Sequence, residues 1–352
     1  MPVVGLDVTP ALSVLDLVPV RTDQTSADAV AASRSLARVA DELGYRRYWV
    51  AEHHNMPAVA ATNPPVLIAM LAAATTRIRV GSGGVMLPNH EPLVVAEQFA
   101  LLEAAFPGRI DLGIGRAPGT DMLTRYVLRG GATAAADDAV ARFPQYVEDV
   151  ATLMHPEGVE MTVGGRHEPL RATPHAASVP TIWLLGSSDY SARLAAERGL
   201  PYVFAHHFAG QGTTEALELY RSTYRPSADH PEPRTFLTVN AAVAATAQEA
   251  RRLALPQVQA MVALRTGGRL SSQRMVEEAE AAPVAAAHQG MVRAMLERWV
   301  VDEPAAARTR IEELAAHFGV DEVMVHPVAG AYAGTSRVVA PAREDTLSLL
   351  VG

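Results

Sequence analysis

Glu52-His53-His54 places three titratable side chains in a row after Tyr48-Trp49-Val50-Ala51, a stretch apolar enough to be a buried strand. An imidazole at a strand end suits proton transfer near neutral pH. Side chains alternate faces along a strand, so two adjacent histidines cannot both enter one pocket while the strand lasts. A metal site built from that pair is therefore not expected. Such sites use i, i+4 positions on a helix or ligands from separate strands. A hydrogen-bonded structural pair is the alternative to catalysis.

Two further groups could hold a ligand. Gly81-Ser82-Gly83-Gly84 weakens any strand it sits in. It marks either close backbone approach by a ligand, against which a flat ring could lie, or a bulge at a barrel corner. No helix starts directly after it, so it is not a dinucleotide fingerprint. Gly115-Arg116 and Gly186-Ser187-Ser188 suit an anion. The serine turn precedes a helix beginning at Asp189, where N–H groups and hydroxyls face outward. Arg116 could add a charge-assisted bond. An ordinary N-cap and a surface ion pair are the plainer readings. His206-His207 and His326 close other strands. Arg265, ahead of Gly267-Gly268, either reaches over the same face or is a solvated loop arginine.

These groups need a scaffold that gathers strand ends. Strands are expected at 12–18, 46–51, 77–85, 109–114, 180–185, 202–205, 235–244 and 320–326. Helices are expected between them at 27–43, 64–75, 92–106, 137–154, 189–199, 213–225 and 303–319, with another near 345–350. Residues 116–136 read as a loop with a short helix, and 159–168 as a small β excursion. Eight strands each followed by helix imply a (β/α)8 TIM barrel, with chemistry at the carboxyl ends of its strands. An open doubly wound sheet is the alternative. Such barrels take about 250 residues. Insertions account for the excess over that, among them a helical insertion between strands seven and eight, at about 253–300. The chain is read as one domain, 1–352.

Composition closes several routes. The sequence has no cysteine and no lysine, and it carries a net charge of −8. Thiol nucleophiles, iron–sulfur clusters and thiolate zinc sites are excluded. So are Schiff-base, pyridoxal-phosphate and P-loop lysines. The acidic balance disfavours a nucleic-acid surface. No apolar run is long enough for a membrane span, and Met1-Pro2-Val3-Val4 begins no signal peptide, so a cytoplasmic protein is expected.

At Glu52-His53-His54-Asn55, at 80–88, at 108–116 and at 184–191 the sequence resembles the bacterial luciferase-like flavin monooxygenase family. The resemblance is to single-component luciferase-like oxidoreductases, and it covers nearly the whole chain. It implies a barrel that binds reduced FMN at its mouth, the flavin being supplied by a separate NAD(P)H:flavin reductase. With O2 the flavin would form a C4a-peroxyflavin that oxygenates a small organic substrate. His53 would be the catalytic histidine beside the isoalloxazine, and Glu52 next to it would be catalytic as well. Ser82, Gly83 and Gly84 would line the ring, where luciferase has a non-prolyl cis peptide. Arg116 would bind the phosphate, with Gly186, Ser187, Ser188, Tyr190 and Ser191 in its turn. The insertion would be a mobile lid, and a homodimer would form through helices near strands two to four. Luciferase has a reactive cysteine where this chain has Gly115, which argues against light emission. Hydride transfer with F420 on the same fold is the alternative, as is a non-catalytic flavin-binding subunit. No metal is expected.

Overall fold

The structure, a computed structural model, describes residues 9–117, 120–129, 131, 138–268 and 270–352. Its eight staves are β1 (Ala11–Asp16), β2 (Arg47–Val50), β3 (Arg79–Ser82), β4 (Ile110–Gly115), β5 (Thr181–Gly186), β6 (Tyr202–Phe204), β7 (Thr235–Val243) and β8 (Glu322–Pro327). Each pairs in parallel with the next, and β8 pairs with β1 at Ala11↔Glu322 through Val14↔Val325. That last ladder closes the barrel and excludes the open sheet. The strands are shorter than the apolar runs suggest, because the runs continue past the paired residues into the mouth loops.

Helices start and stop where the sequence supplies caps. Thr25 and Asp28 form a reciprocal capping box at α1 (Ser26–Glu42). Asn63 caps α2 (Pro64–Ala74), which has proline in its first turn. α3 (Pro92–Ala105) follows the third stave. Gly199 (φ 61°) and Gly319 (φ 61°) end the helices Asp189–Arg198 and Pro304–Phe318 in the left-handed conformation that glycine adopts without a Cβ penalty. The β excursion is an antiparallel hairpin, Val159–Val163 with Arg166–Leu170. The C-terminal helix runs Pro341–Val351, starting at a proline four residues before the expected Asp345. The expected helix start Asp137, part of the 116–136 loop and Arg269 lie outside the described residues. Between β7 and β8 lie four α-helices among the described residues: Ala247–Arg265, Val276–Ala281, Gln289–Leu296 and Pro304–Phe318. The short strand Val300–Asp302 pairs with the end of β7.

The barrel interior is layered, because every second residue of a strand faces inward. At the amino ends lies a charged floor. Arg47, buried, donates to Glu322 at 2.7 and 3.1 Å and to Asp111 at 2.8 Å, and Ser13 donates to Glu322 at 2.6 Å. Above it sits an aromatic layer of Trp49, Trp183 and Phe236, with Leu15, Val203 and Met324. Trp49 Nε1 reaches down to Asp111 at 3.1 Å, and the Arg47 guanidinium lies 4.8 Å from the Trp183 ring. Two of the glycines are explained here. A Cβ on Gly81 would lie 2.7 Å from Trp49 Nε1, and one on Gly83 would lie 2.8 Å from Leu15 Cδ1. Part of the Gly-rich segment therefore makes room for interior side chains.

Candidate active site

The second stave ends at Val50, and the backbone turns at once. His53 N–H donates to Ala61 C=O at 2.8 Å, and Asn55 takes a left-handed φ of 53°. The strand has ended before either histidine, so the turn and not strand alternation separates them. His54 folds back to Glu52, whereas His53 lies close enough to His207 and His326 for its charge to depress both. His53 Nδ1 is buried and finds no hydrogen-bond partner among the described residues. Burial lowers the His53 pKa, an effect the neighbouring Glu52 charge partly offsets, so the ring is neutral at pH 7.

Glu52 sits behind the mouth and is 1% exposed. Its Oε1 is 2.7 Å from Nε2 of both His54 and His90, and its Oε2 accepts Met86 N–H at 2.9 Å. Burial alone would raise this carboxyl. The hydrogen bonds from His54, His90 and Met86 outweigh it and hold the pKa at about 2. His90, on the loop after the neighbouring stave, is a partner that sequence reasoning missed. Adjacent strand ends that both carry histidine were the available signal. Three ligating atoms of Glu52, His54 and His90 lie within 4.8 Å of one another. The 2.7 Å contacts are hydrogen bonds that already satisfy the carboxylate.

The Gly83–Gly84 peptide bond is cis. Ser82 is fully buried, and its hydroxyl donates to Gly113 C=O at 2.8 Å, so it faces the barrel wall. A ligand could meet this segment only through backbone at Ser82.

The fourth and fifth staves pair through Gly115↔Leu185, which brings their carboxyl-end loops together. The guanidinium carbon of Arg116 stands 3.8 Å from the Tyr190 ring centre, in the first turn of helix Asp189–Arg198. Ser188 is the N-cap, and its side chain makes no capping bond. Ser191 is buried against Gly186, where a Cβ would lie 2.6 Å from Ser191 Cβ. Arg116, Gly186, Ser187, Ser188, Tyr190 and Ser191 are thus brought to one end of one helix.

The sixth stave ends in one helical turn, His206–Ala209, which sends its histidines apart. His206 bonds Thr213 Oγ1 at 2.8 Å and packs on Phe318, away from the mouth. Burial first, then nearby arginines, lower its pKa to about 4. His207 bonds Thr238 Oγ1 at 2.9 Å, and His326 bonds Asn240 Oδ1 at 2.8 Å. Thr238 and Asn240 share the inward parity of Phe236 on β7, a spacing of two that could have identified them. Arg265, exposed, donates to Phe208 C=O at 2.8 Å.

The sequence profile of luciferase-like monooxygenases matches residues 12–322. A luciferase-like monooxygenase of Escherichia coli (strain K12) is 41% identical over 322 residues, 91% of this chain and 92% of that one. An N-acetyl-S-alkylcysteine monooxygenase of Bacillus subtilis (strain 168) is 36% identical over 265 residues, 74% and 75% of the two chains. The crystal structure of apo-MsnO8 superposes with a TM-score of 0.83 at 33% identity, covering 97% of both chains. A closed eight-stave barrel with this run of matched residues leaves one assignment: the chain belongs to the luciferase-like monooxygenase family.

Proposed function

We propose that the chain is a flavin-dependent monooxygenase that uses reduced FMN and O2 to oxygenate a small organic substrate. The observation that carries this reading is the contact of Arg116 with Tyr190 at a helix N-terminus beside Ser187 and Ser188. A cation, outward N–H groups and hydroxyls suit the dianionic phosphate of a nucleotide cofactor. The residues on the ring side fit as well. His53 Nδ1 is a buried polar atom without a partner, and a Cβ built on Gly115 would meet only Val85 O, at 3.9 Å.

Reduced FMN held there would supply two electrons and two protons, so that one atom of O2 could go to the substrate and the other leave as water. This chain's residues do the rest. Arg116 and the serine turn anchor the phosphate and so fix the position of the ring. His53, neutral at pH 7, takes up and returns a proton at Nδ1. Glu52 acts as a positioning residue that ties the His54 and His90 loops together behind the ring. The helices between β7 and β8 serve as the lid that excludes water. No helix among the described residues is long and apolar enough to cross a membrane, which fits the proposed cytoplasmic site. A separate NAD(P)H:flavin reductase supplies the reduced flavin.

A homodimer fits the apolar faces of α2 and α3. Val66, Met70, Val94 and Leu101 are 44–58% exposed there. Val66 and Met70 are spaced i, i+4, and Val94 and Leu101 i, i+7, so each pair lines one helix face.

The test adds reduced FMN, or reduced F420, to the purified protein with small organic carbonyl and thioether substrates, and follows oxygen consumption and product formation beyond a protein-free control, since free reduced FMN is oxidised by air unaided. Oxygen-consuming turnover with FMN supports the reading. Turnover with F420 that needs no oxygen replaces it by hydride transfer, and no turnover with either leaves the non-catalytic subunit.

A further inference from the structure

On the far side of the mouth from the Gly-rich segment, the sixth, seventh and eighth staves carry a chain of hydrogen bonds that fixes two imidazoles. Thr238 O–H donates to Phe204 C=O at 3.1 Å. Its single proton is thereby used, so its oxygen accepts from His207 Nδ1–H at 2.9 Å. Asn240 Nδ2 donates to His207 C=O at 2.8 Å, which orients the amide and leaves Oδ1 to accept from His326 Nδ1–H at 2.8 Å. Both rings therefore carry their proton on Nδ1. No hydrogen bond from a described residue reaches the opposite nitrogen, Nε2, of either ring, although His326 is only 5% exposed. The rings are edge-to-face with centroids 6.2 Å apart.

We propose that His207 and His326 form a paired acceptor site that selects substrates bringing hydrogen-bond donors, O–H or N–H, and rejects carboxylates and other anions. Two unprotonated Nε2 lone pairs repel an anionic oxygen and leave it without a donor, whereas a hydroxyl or N–H can bond either. Burial first, then neighbouring histidines, lowers His207 to about 4 and His326 to about 3, so neither Nε2 becomes a donor at neutral pH. A site built to accept from a substrate discriminates strongly against an analogue that lacks the donor, because its acceptors are then buried unpaired. This inference deepens the monooxygenase reading and rests on the mouth being its substrate face.

The test uses the full chain with 15N-labelled histidine, assigned through single His→Gln substitutions, and two probes of matched shape, phenol and anisole. Long-range 1H–15N spectra should show His207 and His326 of the unsubstituted protein in the Nδ1–H form. Phenol, with one O–H, should shift the Nε2 resonance of at least one of the two rings, and anisole should shift neither. His326→Phe should weaken phenol binding by roughly 3- to 10-fold, the range for one neutral hydrogen bond, and leave anisole unchanged. A proton on Nε2 of either ring, or equal binding of phenol and anisole, overturns the proposal. The tautomers are read without cofactor, so absence of flavin turnover would remove the function reading while leaving this result intact.

Discussion

The guanidinium carbon of Arg116 stands 3.8 Å from the centre of the Tyr190 ring, joining the loop after β4 to the helix after β5. The planar cation is preorganised by the ring, so little side-chain entropy remains to be lost when a phosphate arrives. Arg116→Ala should weaken FMN binding by about 10- to 100-fold, the range of a charge-assisted bond. Arg116→Lys should fall between, because it keeps the charge and loses the flat stack. Titration of FMN fluorescence at fixed ionic strength measures both. Equal affinity in all three proteins would remove Arg116 from the cofactor site.

His53 makes the opposite prediction. Its ring touches the chemistry in the proposed scheme but not the phosphate, so His53→Ala should bind FMN normally and lose about 10²- to 10⁴-fold in turnover. The pH dependence has a definite sign. Burial moves the pKa below the ordinary 6.5, and the neutral ring is the active form. The rate should therefore stay level as pH falls through 6.5 and drop only at lower pH, with that acid limb absent in His53→Ala. An acid limb centred above 6.5 would contradict the assignment.

The buried Glu52 carboxylate should also contribute to stability. Its folded-state pKa of about 2 lies below the ordinary 4.5, so its ionised form stabilises the fold fully above pH 4.5. That contribution fades as pH falls from 4.5 toward 2. Glu52→Gln loses the charge and should cost about 1.5–3 kcal/mol near neutral pH, the range for a hydrogen bond to a charged group. Urea unfolding at pH 7 and pH 3 checks it. The gap between the two proteins should narrow at the lower pH, and a constant gap would show that the charge contributes nothing.

Much of this barrel could be read before any coordinates, and the reason is local. Each stave is a short apolar run stopped by glycine, proline or a polar tip. Helix caps such as Thr25 with Asp28, and Asn63 with Pro64, act within a few residues. That Arg116 would lie beside the turn at 186–188 was legible because consecutive staves of a barrel are neighbours. Contacts across the barrel were not. Arg47, Asp111 and Glu322 meet from three distant stretches to form the floor, and no periodicity in any one strand announces a buried charge cluster. His90 reaches Glu52 across 38 positions for the same reason. Gly81 carries the same residue type a ligand contact would, yet its neighbour is Trp49.

The glycines of β4 separate packing from ligand space. A Cβ on Gly113 would run into the Ser82 carbonyl oxygen and lie 2.8 Å from Leu185 Cδ1. A Cβ on Gly115 would meet only Val85 O, at 3.9 Å. Neither glycine has a positive φ, so the backbone itself tolerates alanine at both. Gly113→Ala should therefore overpack the wall and destabilise the barrel by about 1–3 kcal/mol. Gly115→Ala should melt like the unsubstituted protein. If the flavin ring lies beside residue 115, Gly115→Cys should also fold normally but bind FMN more weakly, because the side chain fills space the ring needs. Thermal melts with and without FMN read both quantities. Unchanged FMN affinity in Gly115→Cys would move the ring away from β4, and a melting loss in Gly115→Ala would mean that the open space beside it is structural.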